Sequence, residues 1–346
     1  NTYGISFGDV DGDQDLDLFL AHWGNNSPST GPALWENNLD AGTLTPEDGK
    51  FKTGVKDGVN QQWNFTPAFW DIDSDGWQDL TIVSAYGTSY VFRNNAGEGY
   101  VEWAGRDGAI TDENGMGSAV GDYDNDGRMD WFVTSIFDED GVAEGNWGVS
   151  GNRLYRNLSD SSGVAFHDVT AFSGVRNGAW GWGACFADFN NDGWLDIFHE
   201  NGFGYIPEYV RDDFTSRMMD AYANVMSDFL FTAPRLFINN AMAPGEPSFR
   251  DAGGEWGVTT PTNSRGLVCL DYDRDGDIDV ITLEHSGGAR LYQNNTGNAG
   301  GHRFVTVRLV GEQPNTDAVG AKIWVWADTD GDSVVDEGKG AVSYTH

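Results

Sequence analysis

The chain has 346 residues, 54 acidic against 20 basic, and a formal net charge of −34; a field of that sign repels phosphate backbones and anionic lipid heads, which excludes nucleic acid and membrane surfaces as natural partners. Its 39% hydrophobic content, with 14 Trp, 20 Phe and 12 Tyr, excludes a disordered acidic chain. The 47 glycines, about twice the usual share of roughly 7%, suit many tight turns between short strands.

In chain order, five stretches crowd aspartates together: DVDGDQDLD at 9–17, DIDSDGWQD at 71–79, DYDNDGRMD at 122–130, DFNNDGWLD at 188–196 and DYDRDGDID at 271–279. Each is preceded by a small or apolar run (YGISFG, FTPAFW, MGSAVG, WGACFA, RGLVCL) and followed by another (LDLFLA, QDLTIVSA, MDWFVTS, LDIFHE, IDVITLE). Further on, each unit reaches an aromatic-x-Asn element: Trp35–Asn37, Phe92–Asn94, Tyr155–Asn157, Phe237–Asn239 and Tyr292–Asn294. Short apolar segments, turn residues between them and no helical period read as β-hairpins. The loops are 62, 51, 66 and 83 residues apart, room for a four-stranded antiparallel sheet each. Repeated small sheets of this length predict an all-β β-propeller.

One segment departs from that pattern. In PEYVRDDFTSRMMDAYANVMSDFLF, 207–231, apolar residues at 210, 214, 218, 221, 225 and 229 predict an amphipathic helical insertion entered through Pro207. It would pack its stripe on the sheets or dock another chain, a use to which Met218, Met219 and Met226 are suited.

The aspartates answer to one chemistry. In D-x-D-x-D-G-x-x-D, the side chains at positions 1, 3, 5 and 9 and the carbonyl at 7 can converge, because the turn at position 6 folds the chain back. Oxygen-only ligands in a flexible loop suit Ca²⁺. The predicted ligands are Asp9, Asp11, Asp13 and Asp17 with the Asp15 carbonyl; Asp71, Asp73, Asp75 and Asp79 with that of Trp77; and Asp122, Asp124, Asp126 and Asp130 with that of Arg128. The fourth set is Asp188, Asn190, Asp192 and Asp196 with Trp194, and the fifth Asp271, Asp273, Asp275 and Asp279 with Asp277. An EF-hand would need a Glu at position 12 between helices, where this chain has Leu20, Ile82, Val133, His199 and Thr282 in predicted strands. Gln14 stands where the other loops have glycine, so loop 1 must take a left-handed or strained turn without it and is the weaker site. Asn190 removes one negative charge from loop 4.

These residues resemble the FG-GAP, or VCBS, repeats of calcium-binding β-propellers such as those in integrin α-chains. The resemblance covers residues 1 to about 300 and implies that each calcium loop joins two adjacent strands of a blade. It commonly goes with seven blades, against five loops here, so blades are missing from the N-terminus or lack the motif. The opening NTYGISFGDVDGDQD, already inside a repeat and with no signal peptide, points to a processed or trimmed part of something longer. From 302 the chain resembles the start of the ASPIC/UnbV segment of bacterial proteins and cartilage acidic protein, which implies domains at 1–301 and 302–346. That segment carries a sixth acidic loop, Asp328, Asp330, Asp332 and Asp336 with the Val334 carbonyl, with Ser333 in place of glycine.

The two cysteines, Cys185 and Cys269, lie three and two residues before their loops. They would face opposite sides of their strands and are expected to be small core residues rather than a disulfide. Six histidines form no metalloprotease motif, and no nucleophile elbow or phosphate-binding loop is present. The expectation is a non-enzymatic, secreted or cell-surface calcium-binding module for adhesion, matrix or surface assembly, with a protein or glycan ligand and no nucleic acid or membrane insertion. Millimolar external calcium would fill modest sites. The alternatives are a carbohydrate-binding or carbohydrate-cleaving propeller, whose acids come from distant blades, and a self-assembling filament subunit joined through the 207–231 helix or the C-terminal strands. Asn25, Asn64, Asn157 and Asn294 lie in N-x-S/T sequons.

Overall fold

The computed structural model describes residues 2–23, 33–38, 43–46, 63–87, 89–103, 105, 108–139, 148–203, 229, 232–240, 248–285, 287–297, 306–311, 315–316, 318–326 and 340–344. The architecture is all-β, built of antiparallel propeller blades. Sheet 1 holds β1 (Thr2–Gly8), β2 (Asp17–His22), β3 (Leu34–Asn38) and β4 (Thr43–Pro46) in that order. Sheet 2 holds β5 (Asn64–Trp70), β6 (Asp79–Ser84), β7 (Tyr90–Asn94) and β8 (Tyr100–Glu102). Sheet 3 holds β9 (Ser118–Gly121), β10 (Asp130–Val133), β11 (Arg153–Asn157) and β12 (Phe166–Asp168), followed by the one-turn helix α1 (Thr170–Ser173). Sheet 4 holds β13 (Gly181–Ala187), β14 (Asp196–Asn201), β15 (Arg235–Asn239) and β16 (Phe249–Asp251). Sheet 5 has three strands among the described residues rather than the expected four: β17 (Ser264–Leu270), β18 (Asp279–Glu284) and β19 (Ala289–Tyr292). A hairpin, β20 (Lys322–Trp326) with β21 (Gly340–Tyr344), lies in the C-terminal segment.

Two compact units are present, one of Asn1–Trp131, Tyr155–Asp168 and Thr306–His346, the other of Phe132–Leu154 and Val169–Val305. Within each, successive sheets stack by one rule, which follows from the period of two along a strand. Counting back from the first aspartate of each loop, residues at odd offsets on one sheet meet residues at even offsets on the next. In the first unit Gly4 and Gly8 of β1 face β5: a Cβ on Gly4 would overlap the Phe65 carbonyl oxygen, and one on Gly8 would lie 2.8 Å from Phe69 Cβ. Only glycine admits so close an approach. Phe19, Ala21 and Leu34 of sheet 1 and Phe69, Leu80, Ile82 and Phe92 of sheet 2 fill that interface as one buried cluster.

The second unit obeys the same rule and overturns the expectation for the cysteines. Cys185 and Cys269 form a disulfide, Cα to Cα 6.6 Å. They do face opposite sides of their own strands, and that is why they meet. When sheets stack front to back, an odd-offset residue of sheet 4 points at an even-offset residue of sheet 5. The parity argument was sound within one sheet and reversed between two.

Of the predicted helical insertion, residues 207–228 and 230–231 lie outside the described residues, as do the sixth acidic loop, 328–336, and Asn25. Phe229, at the end of the insertion, is buried against Trp180, ring centroids 5.4 Å apart. Two other sequons are structural: Asn64 is 3% exposed and accepts from Ser84 Oγ at 2.6 Å, and Asn157 is 1% exposed, so neither amide is open to a glycan.

Candidate metal centres

Each of the five loops joins the first two strands of its sheet, and its ninth residue opens the second strand. That aspartate is a backbone clamp. One oxygen accepts the position-2 amide: Val10 N to Asp17 2.9 Å, Ile72 N to Asp79 2.8 Å, Tyr123 N to Asp130 3.2 Å, Phe189 N to Asp196 2.9 Å and Tyr272 N to Asp279 3.1 Å. The other accepts the backbone amide of the asparagine in the aromatic-x-Asn element: Asn37, Asn94, Asn157, Asn239 and Asn294, at 2.7 to 2.9 Å. The recurrence of that asparagine three strands along the sheet is thus explained by the loop.

The first aspartate is held by the turn it begins. In loops 2 to 5 its two oxygens accept the amides of positions 5 and 6, as Asp75 N and Gly76 N do on Asp71 at 3.0 and 3.2 Å. The same pair is made on Asp122, Asp188 and Asp271. Asp9 of loop 1 instead accepts Gly12 N at 2.9 Å and Gln14 N at 3.1 Å. Positions 4 and 6 are left-handed in every copy, with φ of 73° at Gln14 against 87° to 92° at the corresponding Gly76, Gly127, Gly193 and Gly276. The strained turn expected of loop 1 is present.

Three carboxylates gather at each of four loops, with ligand-capable oxygens within 4.8 Å of one another: Asp71, Asp73 and Asp79; Asp122, Asp124 and Asp130; Asp271, Asp273 and Asp279; and, in loop 1, Asp9, Asp11 and Asp13. Loops 2, 3 and 5 therefore converge positions 1, 3 and 9, and loop 1 positions 1, 3 and 5. In loop 4 Asn190 stands at position 3; its Oδ1 accepts Asp192 N at 3.0 Å and its Nδ2 donates to Asp192 Oδ2 at 2.9 Å. Asp13, Asp75, Asp126, Asp192 and Asp275 at position 5 each accept the position-7 amide, those of Asp15, Trp77, Arg128, Trp194 and Asp277, at 2.9 to 3.1 Å.

The donor set suits a hard cation. Asp73 Oδ1 and Asp124 Oδ1 are buried and have no hydrogen-bond partner among the described residues, a costly state for a carboxylate unless a cation shares the site. Burial pushes the carboxyls up: Asp17 and Asp122 to about 7, Asp79 and Asp196 to about 8, and Asp130 well above its usual range, with neighbouring aspartates adding to the effect. A bound divalent ion would reverse that, since it favours the ionised form.

Sequence reading missed the residue between the aromatic and the asparagine. Arg93 donates from Nε to Asp73 at 2.6 Å and from Nη2 to Asp75 at 2.8 Å. Arg156 pairs with Asp124 at 2.7 Å and Asp126 at 3.0 Å, and Gln293 donates to Asp273 at 2.8 Å. A cation thus backs loops 2 and 3 and a neutral donor loop 5; the signal was the variable middle residue of a recurring triplet. Lys322 of β20 also reaches loop 2, its Nζ 3.0 Å from Asp71 Oδ2 and 3.1 Å from the Asp71 carbonyl.

His199 belongs to the core. It is wholly buried, burial lowers it to about 4, Asn152 Nδ2 lies 3.2 Å from its Nε2, and its Nδ1 lies 2.9 Å from the Glu200 carbonyl. That places a neutral imidazole between two structural partners.

The family described as FG-GAP-like repeat matches residues 71–133 and 137–199, which contain loops 2, 3 and 4, so these segments are similar to that repeat. No curated protein matches the chain. Among solved structures, Bacillus licheniformis rhamnogalacturonan lyase PL11 is similar at 13% identity and a TM-score of 0.39 over 93% of this chain. The chain spans about half of that structure's length, 52%, and a likeness so distant has no bearing on activity.

Proposed function

We propose that this chain is a calcium-binding propeller module that works outside the cell, in adhesion, matrix or surface assembly, with Ca²⁺ in the aspartate loops stabilising the blades. The observation that carries the reading is the convergence of three carboxylates at loops 1, 2, 3 and 5, with buried oxygens on Asp73 and Asp124 that have no partner among the described residues. Positions 1, 3, 5 and 9 would hold the ion together with the position-7 carbonyl, and Asn190 would supply a neutral amide oxygen in loop 4. The ion's contribution is charge: it neutralises carboxylates that otherwise repel one another and share protons.

One structural feature supports the location, and the calcium reading is compatible with it. The Cys185–Cys269 disulfide suits an oxidising compartment, and millimolar calcium outside the cell fills sites of modest affinity. A protein or glycan at the cell surface is the proposed ligand class. The C-terminal segment from 302 is proposed to be an ASPIC/UnbV-like β element, in keeping with the β20–β21 hairpin.

Calcium at about 100 times its dissociation constant adds roughly 2.7 kcal/mol per site when the unfolded chain does not bind it. Thermal melts in 2 mM calcium and in excess EGTA, at about pH 7, check this: the chelated chain melts many degrees lower. Terbium luminescence excited through the position-7 tryptophans Trp77 and Trp194 reports the loops directly. Coincident melts with no terbium signal would overturn the reading.

A further inference from the structure

A cation of the chain's own stands at loop 2. Lys322, at the start of β20, lies 251 positions from Asp71 in sequence. Its Nζ donates to Asp71 Oδ2 at 3.0 Å, to the Asp71 carbonyl at 3.1 Å and to Ser74 Oγ at 3.2 Å, three acceptors for the three protons of an ammonium. The side chains of Lys322 and Asp71 are only 12% and 14% exposed, so the pair is shielded from the water that makes surface ion pairs weak. Asp71 is the position-1 carboxylate and one of the three that converge in this loop.

The segment that delivers Lys322 is braced within itself and rests on loops 1 and 2. Asn315 Oδ1 accepts Val319 N at 2.9 Å and its Nδ2 donates to the Val319 carbonyl at 3.0 Å, which rolls the chain into a turn with Ala318 and Gly320 left-handed. A Cβ on Gly320 would lie 2.2 Å from Gln78 Nε2, and Oε1 of that glutamine accepts Asp9 N of loop 1 at 2.8 Å. A cleft of about 630 Å³ lined by Gln14, Trp77, Asn315 and Val319 opens beside this contact. The segment thus meets the loops at points rather than along a packed face, and a single ion pair weighs heavily in holding it.

We propose that the segment carrying Val319, Gly320 and Lys322 is a clasp that Lys322 closes on loop 2 and that calcium opens. The inference rests on calcium filling loop 2. A divalent ion held by Asp71, Asp73 and Asp79 and an ammonium on Asp71 Oδ2 repel one another, so each weakens the hold of the other. Linkage makes the effect reciprocal: by whatever factor Lys322 lowers the affinity of loop 2, calcium lowers the docking of the clasp. A factor of roughly ten is expected, within the range of about 5- to 150-fold usual for coupled sites.

A calcium titration of the 346-residue chain, begun in chelator and followed by nuclear magnetic resonance at the amides of Gly76, Gly127 and Gly276, reads loops 2, 3 and 5 separately. Lys322→Met keeps the side chain's length and removes its charge; it should lower the Gly76 midpoint by a factor of roughly ten and leave the Gly127 and Gly276 midpoints in place. Lys322→Arg, which keeps the charge, should titrate like the parent. Hydrogen exchange gives the reciprocal readout: calcium should speed exchange at the amides of 319–323 by a similar factor in the parent and leave it unchanged in Lys322→Met. In chelator, Asp71→Asn should speed the same amides with no metal present. If Gly127 and Gly276 titrate while the Gly76 midpoint ignores Lys322→Met, or if calcium leaves exchange at 319–323 untouched, the clasp is overturned and the calcium reading stands. If none of the three glycines responds to calcium, both fall together.

Discussion

Asn94, on the third strand of sheet 2, donates from Nδ2 to the Val10 carbonyl of loop 1 at 2.9 Å and to the Gln78 carbonyl of its own loop at 3.0 Å. Two neighbours repeat the bridge: Asn157 reaches the Ile72 carbonyl of loop 2 at 2.9 Å, and Asn294 reaches the Phe189 carbonyl of loop 4 at 2.7 Å. The position-2 residue is therefore gripped twice, by the aspartate of its own loop through N–H and by the asparagine of the next sheet through C=O. Metal loop and sheet stacking are one hydrogen-bonded unit.

Replacing Asn94 with alanine removes this donor from the buried Val10 carbonyl, while the Gln78 carbonyl keeps the Tyr100 hydroxyl at 3.0 Å. A net loss of about 2 kcal/mol follows from the cost of an unsatisfied buried acceptor, measured by urea unfolding. Because the bridge ends on loop 1, calcium affinity there should fall as well, while loops 4 and 5 keep theirs. A variant as stable as the parent would show that the bridge contributes nothing.

The disulfide closes a separation of 84 residues. Chain entropy in the unfolded state makes such a crosslink worth about 4 kcal/mol, so Cys185→Ala with Cys269→Ala should lower the melting temperature under oxidising conditions. A reducing agent should lower the parent's melt and leave the double variant's unchanged.

The pH dependence of the chelated protein has a definite sign. Asp79 and Asp196, at about 8, and Asp17 and Asp122, at about 7, hold protons in the folded state that free carboxyls near 3.8 have released. Between about pH 4 and 8 the folded chain thus binds more protons than the unfolded one, and its stability falls as pH rises. Melts in EGTA should drop from pH 5 to pH 8, and the gain on adding calcium should widen over the same interval, since the ion replaces those protons. A chelated chain that becomes more stable towards pH 8 would contradict the burial of these groups.

Gln14, exposed and at φ 73°, carries a left-handed strain worth about 1 kcal/mol in a residue with a Cβ. Gln14→Gly should stabilise the chain by about that amount and tighten loop 1 in a terbium titration. The control Gly76→Gln in loop 2, at φ 92°, should do the reverse.

Arg93 lies against Asp73 and Asp75 at 2.6 and 2.8 Å, so its charge opposes a cation in loop 2. Arg93→Gln, which copies Gln293 beside loop 5, should raise loop 2 affinity several-fold at low salt, and the gain should shrink as salt screens the pair. Isothermal titration at two ionic strengths checks both.

What the residues alone determined is everything that repeats at short range. A nine-residue loop with its flanking apolar runs is specified within about twenty residues, so strands, turns, the acidic cages and the left-handed Gln14 follow from neighbours along the chain. Sheet stacking decided how Cys185 finds Cys269 and why Asn94 reaches Val10, and strand pairing within sheet 2 decided that Arg93 meets Asp73 and Asp75. These depend on residues tens of positions apart, and a period of two says which side a side chain takes without saying what waits there.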